Sequence, residues 1–191
     1  GFYLAMFLVL CALILRPVGF KYRSKKPDPL WRERWDWALF IGGAVPALIF
    51  GVAIGNTLQG VPFHFTPDLR PIYEGNLFGL LNPLAMYCGL VSLAMLAMHG
   101  AAWLAFKADR PVEERALRIG SMMALLTATL FAGGGVLVWF GLLGGYRVTS
   151  PIIWDGPSKP LLKSVVADPT AWLANFRAHP ALWTVPALGI V

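Results

Sequence analysis

The feature that most constrains this chain is the spacing of its charges. Residues 1–15, 37–58, 83–106 and 119–143 contain no Asp, Glu, Lys or Arg, and another charge-free run opens over 181–191. An α-helix rises about 1.5 Å per residue, so roughly 20 apolar residues cross a hydrocarbon core about 30 Å thick. Residues 37–58, 83–106 and 119–143 have that length, whereas 1–15 and 181–191 read as spans cut by the ends of the sequence. The expected fold class is therefore all-α: a polytopic transmembrane helix bundle of about three complete spans plus two truncated ones. It forms a single membrane domain, 1–191, read as a fragment of a longer subunit. The chain opens on Gly1 with no basic segment ahead of its first apolar run, so that run does not read as a signal peptide.

Composition supports the same class. Of 191 residues, 57% are hydrophobic and 14% charged, against roughly 45–50% and 25% in an average soluble domain. The net charge of +6 could suggest a nucleic-acid partner, but that needs a folded basic face. Here the basic residues sit in short segments beside apolar runs, so membrane topology accounts for them and no nucleic acid is expected. Cys11 and Cys88 lie within apolar stretches and read as small buried hydrophobes. No Walker loop, Ser/His/Asp set, CxxC pair or HExxH sequence occurs, which removes support for hydrolysis or phosphoryl transfer.

Loop charge sets an orientation. Residues 16–36 hold seven Lys or Arg and residues 107–118 hold four, whereas 56–82 hold only Arg70, balanced by Asp68 and Glu74. The positive-inside rule places 16–36 and 107–118 in the cytoplasm and 56–82 outside, which puts 144–180 outside as well. Within that last loop, Asp168-Pro169 reads as an N-cap followed by a first helical turn. Trp172, Leu173 and Phe176 would then share one face of a short interfacial helix. Trp31, Trp35, Trp37, Trp103 and Trp183 fall near span ends, the level that indole rings favour.

Few residues suggest chemistry. Gly51 with Gly55, Gly141 with Gly145, and Ala97, Ala101 and Ala105 have small-xxx-small spacing, which lets helices in lipid approach closely. Pro46 and the Gly133–Gly135 run should bend or loosen their helices. Ser92, Thr127 and Thr129 read as interhelical hydrogen-bonders. His99, in AMHGAAW, invites comparison with an axial haem ligand, but no second histidine falls inside a span, so a His bonded to a neighbouring helix is the simpler reading. Arg16 ends the first apolar run and Asp36 precedes the second, so the two could pair at the membrane surface; as bundle-end charges they are candidates for a structural or functional role. Asn56 and Gln59, in GNTLQGVPFHF, are uncharged polar groups at the outer boundary, suited to holding a helix end or lining an entrance.

Several stretches together resemble one family. GFYLAMFLVL, RPVGFKYRSK, RWDWALFIGG, VPALIFGVAIGNTLQGVPF, GLLNPLAMYCGLVSLAMLAMHGAAWL and AWLANFRAHPALWTVPALGIV are similar to subunit II of the cytochrome bd-type ubiquinol oxidases, including the cyanide-insensitive branch. Residues 146–167 carry no diagnostic motif. The resemblance implies a multi-pass subunit of a respiratory oxidase in the bacterial cytoplasmic (inner) membrane, part of an enzyme that oxidises quinol and reduces oxygen to water. It implies a haem-carrying subunit I as partner, holding haems b and d, with quinol and membrane lipid as further partners. This chain would contribute no catalytic residue, no metal ligand and no haem ligand, while a bound quinone remains allowed. Arg16 and Asp36 fall on the RPVGF and WDW motifs, which raises the expectation that they matter for integrity or activity. Two other classes stay open at this point: a secondary transporter with broken apolar helices, and a self-contained membrane cytochrome using His99.

Overall fold

The computed structural model describes residues 2–141, 144–151 and 160–189. Four long helices dominate: α1 (Phe2–Arg23), α2 (Pro29–Gln59), α3 (Pro83–Lys107) and α4 (Val112–Trp139). All four are long and apolar enough to cross a membrane. The segment between α2 and α3 and the segment after α4 each form a short antiparallel ribbon: β1 (Phe63–Phe65) with β2 (Pro71–Tyr73), and β3 (Gly145–Val148) with β4 (Val165–Asp168). A short helix, α5 (Ala171–Ala178), a 3-10 turn at Pro180–Trp183 and a five-residue helix, α6 (Thr184–Leu188), follow. The chain divides into two compact units, Gly1–Asn56 with Asn76–Ala124, and Thr57–Gly75 with Leu125–Val191.

Helix limits differ from the charge-free runs in an instructive way. The first run stops at Leu15, yet α1 continues through Arg16 and Pro17 to Arg23. Proline removes one backbone donor, which a single turn of a helix tolerates where neighbours hold it in place. Immediately beyond Pro17, Gly19 is buried against Leu39 and Trp35 of α2. Helix α2 begins at Pro29, with its Leu30 amide donating to Asp28 Oδ1 at 3.1 Å: a side-chain cap followed by a proline at the first position. Over 31 residues it is about 46 Å long, so it extends beyond a hydrocarbon core by several residues. Helix α4 starts seven residues before Ile119, with Glu113 and Glu114 in its first turn, where the helix dipole favours carboxylates.

In the first unit, helices meet at small residues. A side chain at Gly51 would run into the Cys88 carbonyl and stand 2.7 Å from Gly89 Cα. One at Gly55 would stand 2.7 Å from Ala85 Cα. The expected close approach at this pair is therefore the α2–α3 contact. Ser92 Oγ adds a hydrogen bond to the Ala47 carbonyl across the same seam, at 2.8 Å. The second glycine pair behaves differently. Gly141 has φ +68° beyond the end of α4, and Gly145 opens β3 against Trp172, so these two glycines serve a helix stop and a strand, not a helix seam. Thr129, expected to bond between helices, donates to Leu126 in its own helix at 2.9 Å. Neither Pro46 nor Gly133–Gly135 interrupts its helix.

The outer faces stay apolar. Phe7, Phe40, Phe106 and Leu125 are each more than 60% exposed, and Ala116 is the only buried residue of α4. Apolar surface on this scale is stable only against lipid or other apolar protein, and the chain is a membrane protein.

In the second unit, the β1–β2 ribbon is clipped by His64 Nδ1 and Glu74 Oε1 at 2.6 Å. Helix α5 starts two residues later than Asp168-Pro169 suggests. Asp168 Oδ1 instead accepts from the Thr170 amide at 2.8 Å and its hydroxyl at 2.7 Å, closing a turn between β4 and α5. Leu173 is buried, Trp172 covers Gly145, and the Phe176 and Trp183 rings lie 4.8 Å apart.

Candidate functional site

Helices α1 and α2 form an antiparallel hairpin, and its register decides where the singled-out charges fall. Gly42 of α2 lies opposite Ala12 and Arg16, while Gly19 lies opposite Leu39 and Trp35. Arg16 is thus set about 10 Å deeper than the end of α1, since seven residues separate it from Arg23. Asp36 belongs to the level of the turn, not to the level of Arg16. Its partner is Arg23: the guanidinium Nε donates to Asp36 Oδ1, and Nη2 donates to Oδ2 at 3.0 Å. The pairing of Arg16 with Asp36 that sequence proximity suggested is not the one formed, because α1 runs on past Pro17. Arg16 itself is exposed, with its Cγ placed 2.9 Å from where a Gly42 side chain would begin, and it forms no ion pair among the described residues.

Asn56 occupies the other end of the same unit and is only 3% exposed. Its Nδ2 donates to the Val52 carbonyl at 2.8 Å and to the Leu80 carbonyl at 2.7 Å. Its Oδ1 accepts from Asn82 Nδ2 at 3.0 Å. Asn82 in turn caps α3, its Oδ1 accepting from the Ala85 amide at 2.8 Å ahead of Pro83. Two amides thus lock the end of α2 to the start of α3 and to the 3-10 turn at Phe78–Leu80. A buried amide is costly unless its capacity is used, and both protons of Asn56 are committed. Gln59, the last residue of α2, is half-buried, and its Oε1 is shielded without a hydrogen-bond partner among the described residues.

Beside Asn56 lies a cavity of about 80 Å³, walled by Phe2 and Ala5 of α1, Leu48 and Val52 of α2, and Leu77 and Leu81. Its walls are otherwise hydrocarbon. With no free amide proton at Asn56, the cavity suits an apolar chain and offers no donor to a quinone oxygen.

His99 is exposed on α3. Among the described residues no group of three or more His, Cys, Asp or Glu side chains is placed to hold a metal ion. One imidazole alone does not fit a haem with two axial protein ligands, so no step through a haem is derived from this chain.

Sequence reasoning singled out Asn56 but missed Asn82, although Asn82-Pro83 is the same cap-plus-proline pattern noticed at Asp168-Pro169. It also missed Arg23, one of seven basic residues in its segment, with nothing but helix register to distinguish it.

A family model described as cytochrome bd terminal oxidase subunit II matches residues 1–191. The "Probable cytochrome oxidase subunit 2" of Haemophilus influenzae is 49% identical over 191 residues, all of this chain and 50% of that protein. The "Cytochrome bd-I ubiquinol oxidase subunit 2" of Escherichia coli K12 is 47% identical over the same 191 residues, again 50% of its length. A more distant relative, the "Cytochrome bd ubiquinol oxidase subunit 2" of Bacillus subtilis, is 24% identical over 119 residues, 62% of this chain and 34% of the relative. The chain spans about half the length of the first two of these relatives. With four apolar helices in place and a match that runs from end to end, the chain belongs to the cytochrome bd terminal oxidase subunit II family.

Proposed function

We propose that this chain is part of the haem-free second subunit of a bd-type quinol oxidase, an enzyme that oxidises quinol and reduces oxygen to water in the bacterial cytoplasmic membrane. The observation that carries this reading is the correspondence of all 191 residues with a relative named as a ubiquinol oxidase subunit 2. The partner is the subunit I that holds haems b and d. This chain's part is to supply an apolar helical surface against which that subunit folds and retains its cofactors. The basic segments 16–36 and 107–118 face the cytoplasm, in keeping with the positive-inside rule. A transporter reading lacks an Asp, Glu, Lys or Arg inside any charge-free run to couple an ion, and a cytochrome reading depends on His99 alone.

Within this role, Arg16 is the residue we assign to assembly. A guanidinium at the edge of the hydrocarbon core is costly without a partner, and the hairpin register leaves Asp36 to Arg23. Arg16 then finds its anion on another part of the full-length subunit or on subunit I. The test is Arg16→Ala in the full-length subunit co-expressed with its partner. Haem-containing complex per milligram of membrane protein should fall several-fold, with Arg16→Lys intermediate. Unchanged haem spectra and oxygen uptake would remove Arg16 from the account.

A further inference from the structure

We propose that the turn joining α1 and α2 is a binding site for the headgroup of an anionic phospholipid, with the Lys25 and Lys26 ammonium groups as its donors and Tyr22, Trp31 and Trp35 as its floor. The proposal uses the membrane placement of these helices and goes beyond the oxidase reading.

The floor is built by direct contacts. The Tyr22 and Trp35 rings stack at 5.7 Å between centroids, and Trp31 meets Trp35 edge-on at 5.9 Å. Trp31 is pinned further, because its Nε1 donates to the Tyr22 carbonyl at 2.9 Å. Two cations lie over this floor: Lys25 Nζ is 4.3 Å from the Tyr22 centroid and Lys26 Nζ is 4.9 Å from that of Trp31. An ammonium over a ring keeps its remaining N–H donors outward, available to an anion.

Charge favours a net-negative ligand. The segment 16–36 holds seven basic residues against Asp28, Glu33 and Asp36. Asp36 is engaged by Arg23, and Asp28 Oδ1 accepts from the Leu30 amide at the start of α2. Lys25 and Lys26 form no ion pair among the described residues.

Depth points to a lipid in place of a soluble ion. If residues 37–58 fill the hydrocarbon core, Trp35 lies within one turn of its edge and Trp31 about 9 Å outside it. The headgroup layer is about 5–8 Å thick on each side. The aromatic floor therefore crosses the headgroup layer, where indole rings partition, and the two lysines stand at its aqueous edge, within a side chain's reach of lipid phosphates. Basic clusters beside spans attract anionic headgroups with about a fivefold gain in binding per cation.

The test uses the full-length subunit in its assembled complex, labelled with a photoreactive phosphatidylglycerol and competed with unlabelled lipids. Labelling should map to residues 21–36 and be displaced by phosphatidylglycerol at least fivefold better than by phosphatidylcholine. Lys25→Gln with Lys26→Gln should weaken phosphatidylglycerol binding about thirty-fold, while Lys25→Arg with Lys26→Arg retains it. A charge-matched control, Arg115→Gln with Arg118→Gln, should stay within twofold of the parent. Four results would each overturn the proposal: equal loss in the control pair, equal competition by phosphatidylcholine, displacement by millimolar inorganic phosphate, or a segment shielded from lipid by a bound protein. The readout is lipid binding and not oxygen uptake, so its failure leaves the oxidase reading standing, and the reverse holds as well.

Discussion

Arg23 and Asp36 face each other across the turn between α1 and α2, and their two side chains meet in a two-pronged contact with Nη2 3.0 Å from Oδ2. Both are about half exposed. An ion pair in that setting is weak and yields to salt. A double-mutant cycle with Arg23→Gln and Asp36→Asn should therefore give a small coupling in thermal unfolding at low ionic strength and none at about 1 M salt, where the screening length is about 3 Å. Haem content in Asp36→Asn should fall less than in Arg16→Ala. A coupling that persists in high salt would mean that the pair is buried by subunit I.

Asn56 and Asn82 should behave as one unit. Asn56→Ala strips the buried Leu80 carbonyl of a partner, a cost of about 1–3 kcal/mol, and frees the part-buried Asn82 amide at a smaller cost. Asn82→Ala removes the α3 cap, worth about 1 kcal/mol. Because the two share a bond, the double variant should lose less than the two single losses added together. Denaturant unfolding of the three variants checks this, and strict additivity would show that the shared bond does not matter.

Glycines at the α2–α3 seam should tolerate nothing larger. Gly51→Val forces atoms onto the Cys88 carbonyl and the Gly89 backbone, an overpacking cost of about 1–3 kcal/mol or more. Gly43 and Gly100 have open space where a side chain would begin. Gly100→Ala should be neutral or stabilising by up to about 1 kcal/mol, since alanine favours the helix. Thermal unfolding of the full-length subunit separates the two classes.

Asp168 gives the β3–β4 ribbon a defined pH dependence. The Thr170 hydroxyl and amide, with Arg147 at 3.0 Å adding a further favourable charge, hold its carboxyl below the usual value of 3.8. A depressed folded-state pKa means stability that is present above the ordinary value and lost as pH falls through the folded one. Protection of the Tyr146 and Arg147 amides against hydrogen exchange, relative to their intrinsic rates at each pH, should thus be steady from neutral pH down to about 4 and weaken below it. In Asp168→Asn the protection should be lower at neutral pH, with the difference from the parent closing as pH falls below the ordinary carboxylate value.

Much of this was legible in the residues themselves. Long charge-free runs gave the spanning helices, because in lipid every backbone group must be satisfied within the helix, and Gly51 with Gly55 marked a true seam. What stayed hidden depended on register and on neighbours. Arg16 ended the first apolar run, yet α1 continues through Pro17, supported by Gly19 against Leu39 and Trp35, and this moved the partner of Asp36 from Arg16 to Arg23. Gly141 had the spacing of a seam glycine, yet its positive φ ends a helix. The paired strands at Phe63–Phe65 and Pro71–Tyr73 were too short to carry a period-two pattern and read as loop.

The central claim is that this chain works as the haem-free partner in a quinol oxidase. The most direct test is a visible spectrum with quinol-dependent oxygen uptake, recorded on the full-length subunit purified alone and again after co-expression with a haem-carrying subunit. The account predicts no Soret band and no uptake for the subunit alone, and both for the complex. A Soret band from the subunit alone that disappears in His99→Ala would contradict it and assign the haem to this chain.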